Sequence, residues 1–159
     1  MLKINIGKQE LEANNVVGIY GETGTGKSYL MAQIAYRMSM NDFCMSVLPL
    51  DYVMMQSITE EIKDKYTQAI TSLADKYPVI LLVDSMELLQ DSDPQFYEIL
   101  KIRVNAGKWN VIYTSQEKNK DLNFDNNVLI HTKKTGGIFQ AEIKVPKRIE
   151  TEKINVASF

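Results

Sequence analysis

Residues Gly21-Glu22-Thr23-Gly24-Thr25-Gly26-Lys27-Ser28 match the phosphate-loop pattern G-x-x-x-x-G-K-[ST] at every fixed position. The octet follows the apolar run Val16-Val17-Gly18-Ile19-Tyr20 and precedes a helical pattern, so strand, tight turn and helix must come in that order. Glycines let the backbone curl until successive N–H groups point inward at phosphate oxygens. Lys27 then reaches the β- and γ-phosphates as a point charge, Ser28 offers its hydroxyl to Mg2+, and the helix presents its positive end to the anion. The expected contacts of a nucleoside triphosphate are therefore Gly21, Glu22, Thr23, Gly24, Thr25, Gly26, Lys27, Ser28 and Tyr29. A glycine-rich turn matching by chance is disfavoured by the flanking strand and helix.

A chain of 159 residues fits one domain around a single core, here expected to span 1–159. With 45% hydrophobic and 24% charged residues the composition is that of an ordinary globular protein. Lone Cys44 cannot form an internal disulfide, and there is no signal-like start and no apolar run long enough to span a bilayer. The expected address is the cytoplasm, with no membrane partner; Cys44, between Phe43 and Met45, reads as a buried strand residue. The net charge of −2 is uneven: residues 1–100 carry 7 Lys/Arg against 14 Asp/Glu, and residues 101–159 carry 11 against 6. The basic half is where a polyanion would bind, although its interspersed acids also suit a plain solvated face.

Along the chain, 1–7 alternates as an edge or hairpin strand and 16–20 reads as a buried parallel strand. Helix 28–40 turns Leu30, Met31, Ile34, Ala35 and Met38 inward. A second core strand covers 43–50. Ser57-Ile58-Thr59-Glu60 reads as a capping box, opening an amphipathic helix of about five turns with Ile58, Ile62, Tyr66, Ala69 or Ile70, Leu73 and Tyr77 on one face. The run Val79-Ile80-Leu81-Leu82-Val83 is a strand ending in Asp84. Asp93 and Pro94 read as N-cap and first residue of a helix that buries Phe96, Ile99, Leu100 and Val104 and closes at Gly107. Strand 110–116 follows, then strands 128–132 and 138–145 joined by a turn at Thr135-Gly136-Gly137. Strands alternating with helices predict an α/β fold: a mostly parallel central sheet, helices on both faces, an antiparallel C-terminal hairpin, and a ligand beyond the C-terminal strand ends.

Asp84 lies 57 positions after Lys27, a separation suited to the acid that holds the hydration shell of Mg2+. A strand-end aspartate can also cap a helix, but the apolar run before it and the phosphate loop favour the metal role. Ser85 either holds a water or starts the turn. Gln116, ending the strand after Asp84's, is placed to sense a γ-phosphate, or else is an exposed loop amide. Because Asp84 is followed by Ser85, no acid stands beside it to activate water. Asp51 is the first candidate for that task, with Glu87 and Glu60 or Glu61 behind it. Glu22 is expected to point outward, since a carboxylate facing phosphates repels them. His131 reads as a strand histidine with no metal, and Trp109 as packing at a helix-to-strand corner.

The loop, the strand ending in Asp84-Ser85, and the strand-end Gln116 together resemble the RecA-like branch of P-loop ATPases, the order shared by RecA, RadA and KaiC-type proteins. The resemblance covers roughly residues 14 to 148. It implies ATP and Mg2+ as ligands, a catalytic carboxylate from the end of the strand after the loop's helix, for which Asp51 is the nearest equivalent, and side-by-side homo-oligomers. In the RadA and KaiC-like members a final strand carries a Lys-x-Arg motif into the neighbouring subunit's nucleotide. Lys144-Val145-Pro146-Lys147-Arg148 occupies the corresponding place, so Lys147 and Arg148 are either trans-acting groups or surface charge. Segment 117–127, with Lys118, Asn119 and Lys120, stands where recombinases carry a mobile DNA-binding loop; its Phe124 touches a base or anchors the loop.

Three functions follow in order: an ATPase that assembles and acts on nucleic acid, an ATP-dependent switch or assembly subunit with little hydrolysis, and a small nucleotide kinase. The last ranks lowest because residues 85–100 contain no arginine for a lid.

Overall fold

A computed structural model of the chain describes residues 2–38, 43–47, 59–122, 127–145 and 151–155, the strands at 43–47 and 151–155 by their backbone. Nine strands are seen among these residues, in a two-stranded and a seven-stranded sheet. β1 (Leu2–Ile6) and β2 (Gln9–Ala13) pair antiparallel, and β1 buries Leu2, Ile4 and Ile6 while its polar residues face out. The large sheet runs β4-β5-β6-β3-β7-β8-β9, with β3 (Val16–Tyr20), β4 (Phe43–Val47), β5 (Val79–Val83), β6 (Asn110–Ser115), β7 (Val128–Thr135), β8 (Ile138–Lys144) and β9 (Thr151–Asn155). Its first five strands are parallel, and β8 and β9 join antiparallel, so the expected α/β class and the C-terminal hairpin both stand.

β3 is flanked by β6 and β7 and buried on both faces, which is why its sequence is continuously apolar. Its side chains divide between two cores. Val17 and Ile19 join Leu30 and Ile34 of α1 (Lys27–Met38) and the inner side of β1, whereas Val16 faces Trp109, Val111 and Tyr113 and the helices α2 (Glu60–Lys76), α3 (Met86–Ser92) and α4 (Pro94–Asn105). Gly18 pairs with Tyr113, and a Cβ on Gly18 would lie 2.5 Å from the Tyr113 hydroxyl, so the ring fills the space a side chain would take. A buried amide pair fixes the start of β3. Asn127 Oδ1 accepts from the N–H groups of Asn15 and Val16, and Asn15 Nδ2 donates to the carbonyls of Val104 and Trp109.

α1 buries all five residues expected to face inward. Asp93 caps α4 through the Phe96 N–H with Pro94 at its first position, and Gly107 follows its C-cap. Trp109 is buried at the corner between α4 and β6, its Nε1 donating to Asp75 at 2.8 Å.

α2 departs from the sequence reading. Its N-cap is Thr59, whose side chain accepts from the Ile62 N–H, two residues later than the expected box; Ser57 and Ile58 lie outside the described residues. Its buried residues are Ile70 and Ala74, while Ile62 (58% exposed), Tyr66 (43%), Leu73 (41%) and Tyr77 (50%) face solvent. Polar ties set this rotation: Asp75 receives Trp109 Nε1 and, at 3.1 Å, Arg103 Nε, and Lys63 Nζ donates to Ser92 O at 3.1 Å. Helix α3 and strand β9 were not anticipated. α3 is too short for its period to register, and β9 holds one apolar residue, Ile154, so nothing alternates. None of the described helices is long and apolar enough to cross a membrane.

Candidate active site

The parallel strands deliver their C-terminal ends to one edge, and the phosphate loop rises from the middle of it. Gly21 N donates to Ser115 O at 3.1 Å, keeping the loop's first residue tied to β6. The backbone carbonyl and hydroxyl of Thr132 occupy the place of a Cβ on Gly21, so a side chain is excluded there. Buried Thr25 anchors the loop to β7: its Oγ1 donates to Glu22 O at 2.7 Å and lies 2.7 Å from Thr132 Oγ1. Gly24 and Gly26 adopt φ of 81° and 88°, a left-handed curl that L side chains resist. Glu22 is exposed, as charge repulsion requires.

Lys27 opens α1 and folds back over its own loop, donating from Nζ to Gly21 O at 2.7 Å and Glu22 O at 2.8 Å. Burial pushes its ammonium below the ordinary lysine range, and the nearby carboxylates of Glu87 and then Asp84 oppose that shift. Ser28 Oγ lies 2.9 and 3.0 Å from the two oxygens of Asp84, and Thr114 Oγ1 donates to Asp84 Oδ1 at 2.7 Å. A carboxylate and a hydroxyl meeting this closely form a hard-oxygen pair that fits Mg2+, an ion bound through one or two carboxylates, retained waters and substrate phosphates. No cluster of three or more His, Cys, Asp or Glu side chains suited to a metal occurs among the described residues.

A cleft of about 390 Å3 is lined by Lys27, Ser28, Tyr29, Asp84, Glu87 and Gln116, among others. Gln116 spans it: its Nε2 donates to Thr23 Oγ1 at 2.9 Å, and its backbone N–H donates to Glu87 Oε1 at 2.7 Å. Ser85 starts a turn, with its Oγ accepting the Leu88 N–H as the N-cap of α3. Glu60 and Glu61 sit exposed on α2, paired with Lys63 and Lys65, and do not line the cleft. Asp51, Lys147, Arg148 and Phe124 lie outside the described residues; Cys44 is on β4, whose backbone alone is described.

Beyond Gln116 a second cleft of about 470 Å3 shares Glu87, Ser115 and Gln116 with the first and continues along Lys118, Asn119 and Lys120. Lys118 Nζ stands 6.0 Å over the Tyr20 ring, which stacks on His131 at 4.6 Å. Sequence reasoning passed over two hydroxyls at the site, Thr114 and Thr132, while Thr23, expected only as a loop contact, is also the partner of Gln116. Thr114 lies in the expected strand 110–116 near its polar end, whereas the role of Thr132 arises only when β7 pairs beside β3.

The bacterial DnaA ATPase domain family matches residues 2–139, and the chain belongs to that family. Among solved structures it is similar to EssC (ATPases 2 and 3) from Geobacillus thermodenitrificans, with TM-score 0.52 and 15% identity over 91% of this chain and 40% of that one. It is also similar to the cytoplasmic domain of EssC, with TM-score 0.50 and 11% identity over 76% and 34%. A replication initiator DnaA bound to AMPPCP and single-stranded DNA matches with TM-score 0.48 and 18% identity over 76% and 40%. The EssC likenesses show a shared fold alone, and with the family match that fold is the RecA-like/AAA+ type of P-loop ATPase. The chain spans about a third to two fifths of the length of these solved chains. No curated protein sequence matches it.

Proposed function

We propose that this member of the bacterial DnaA ATPase-domain family binds ATP with Mg2+, hydrolyses it, and assembles side by side with further copies on nucleic acid. One observation carries the reading: Lys27, Ser28 and Asp84, from a loop and a strand tip far apart in sequence, converge on one cleft with the strand-end Gln116 across it.

Phosphates entering the loop meet the N-terminus of α1 and the inward N–H groups. Lys27 then exchanges two carbonyl oxygens of its own loop for phosphate oxygens, which are stronger acceptors for an ammonium. Ser28 Oγ and the Asp84 carboxylate are the groups that would hold Mg2+, and Thr114 keeps that carboxylate aimed. When bound, Mg2+ would supply charge neutralisation to the phosphates. The Gln116 amide, now on Thr23, is within the same cleft and can exchange that hydroxyl for the γ-phosphate.

The wider reading extends the RadA and KaiC-type resemblance. Lys147 and Arg148 act on a neighbour's nucleotide, and the second cleft, with Lys118 and Lys120, meets a nucleic acid backbone. Equilibrium ATP binding, with and without Mg2+, tests the core of this proposal in the intact chain and in Lys27→Ala. Magnesium-dependent binding that Lys27→Ala abolishes is the expected result, and unchanged affinity in the variant overturns the site. Turnover stimulated by single-stranded DNA, and sedimentation as a larger species with a non-hydrolysable ATP analogue, are expected of the assembled ATPase. Tight binding with negligible turnover would instead make the chain a switch.

A further inference from the structure

An ATPase cleft needs an acceptor for a proton of the attacking water, and the residue after Asp84 is a serine. The backbone at that serine supplies the alternative. Ser85 is the only non-glycine residue with positive φ among the described residues, at φ 68° and ψ 87°, held there by its N–H on Thr114 Oγ1 at 2.7 Å and by its own capping bond to Leu88 N. Only Asp84 and Ser85 separate the end of β5 from the start of α3. Glu87, in the first turn of α3 and half-buried, lines the cleft with Lys27, Asp84 and Gln116.

The carboxylate is fixed as well as present. Oε1 accepts the Gln116 N–H at 2.7 Å and lies 3.5 Å from the Glu117 N, while Oε2 has no hydrogen-bond partner among the described residues. Its charge acts on Lys27 ahead of that of Asp84, as expected of a carboxylate lining the same cleft.

We infer that Glu87 is the general base of the ATP hydrolysis proposed above, supplied from one helical turn beyond the strand tip and aimed by the backbone of Gln116. The inference rests on the ATPase reading of this cleft. In the step it performs, the water oxygen bonds to the γ-phosphorus as the bond to the β,γ-bridging oxygen breaks and its electron pair leaves with ADP. One water proton passes to Glu87 Oε2 and on to solvent, and the other stays on the phosphate.

Glu87→Gln separates this role from a structural one, because the amide oxygen still accepts the Gln116 N–H but takes no proton. In the full chain, Glu87→Gln is expected to bind ATP·Mg2+ as the parent does while turnover falls about 100-fold or more. The acid limb of the kcat profile against pH should vanish, and Glu87→Asp should recover part of the activity. Turnover of Glu87→Gln within about threefold of the parent overturns the role. So does a loss of ATP binding in that variant with its circular dichroism unchanged, which would assign Glu87 to binding. A parent chain that binds ATP without hydrolysing it also overturns the inference while leaving the site intact. Failure of the site itself is read separately, from normal ATP affinity in Lys27→Ala.

Discussion

Ser28 Oγ stands 2.9 Å from Asp84 Oδ1, a contact between the first turn of α1 and the tip of β5. β5 and β3, the strand that leads into the loop and α1, are not neighbours, since β6 lies between them. Thr114 of that middle strand bridges the gap by donating to the same carboxylate oxygen. An amide in place of the carboxylate can still accept both hydroxyls, so Asp84→Asn removes charge and little else. Calorimetric titration should find ATP affinity without Mg2+ unchanged and the gain on adding Mg2+ reduced by about 10–100-fold. An undiminished magnesium effect would take Asp84 out of the ion's surroundings.

The Gly18 position tests how tightly the strand beneath the loop is packed. A methyl group there would meet the Tyr113 hydroxyl at 2.5 Å and its ring carbon at 2.7 Å, and that ring is too deeply buried to swing aside. Gly18→Ala should lower stability by about 1–3 kcal/mol, seen as a lower urea midpoint with unchanged slope. An unchanged midpoint would mean that β3 and β6 can part at small cost.

The phosphate loop, the five parallel strands, the inner face of α1 and the caps of α4 were legible because each is signalled locally, by glycine spacing, apolar runs or a cap residue. The rotation of α2 was not. Ile62, Tyr66, Leu73 and Tyr77 repeat at helical spacing, yet the face that meets the core is chosen by Asp75 and Lys63, whose partners Trp109, Arg103 and Ser92 are distant in sequence. Glu87 was legible only as one acid among several. Its place beside the cleft follows a turn through Ser85, and no residue type announces a left-handed serine.

The rotation of α2 carries its own prediction. Tyr66→Lys alters an exposed side chain and should shift stability by no more than about 0.5 kcal/mol. Ile70→Ala, one turn along the same helix, empties a buried position and should cost about 2–5 kcal/mol. Chemical denaturation of the two variants side by side decides the matter, and the reverse order of effects would restore the face expected from periodicity.

His131 gives the fold a dependence on pH with a definite sign. Burial against the stacked Tyr20 ring lowers its pKa from the ordinary 6.5; Lys133 adds to the lowering, Glu142 opposes it, and Lys144 and Lys118 lower it further. The folded chain thus releases the imidazole proton at lower pH than the unfolded chain does, so the unfolded state binds more protons through this window. The stability His131 contributes is present in full above pH 6.5 and is lost as pH falls through the folded value. His131→Phe keeps a ring against Tyr20 and cannot be protonated. Unfolding free energies measured at about pH 7.5 and about pH 5.5 should converge for the parent and the variant on the acid side, with the variant's pH dependence the shallower of the two. Parallel pH dependences would mean that protonation of His131 is not resisted by the fold, and that its stack on Tyr20 carries no linkage.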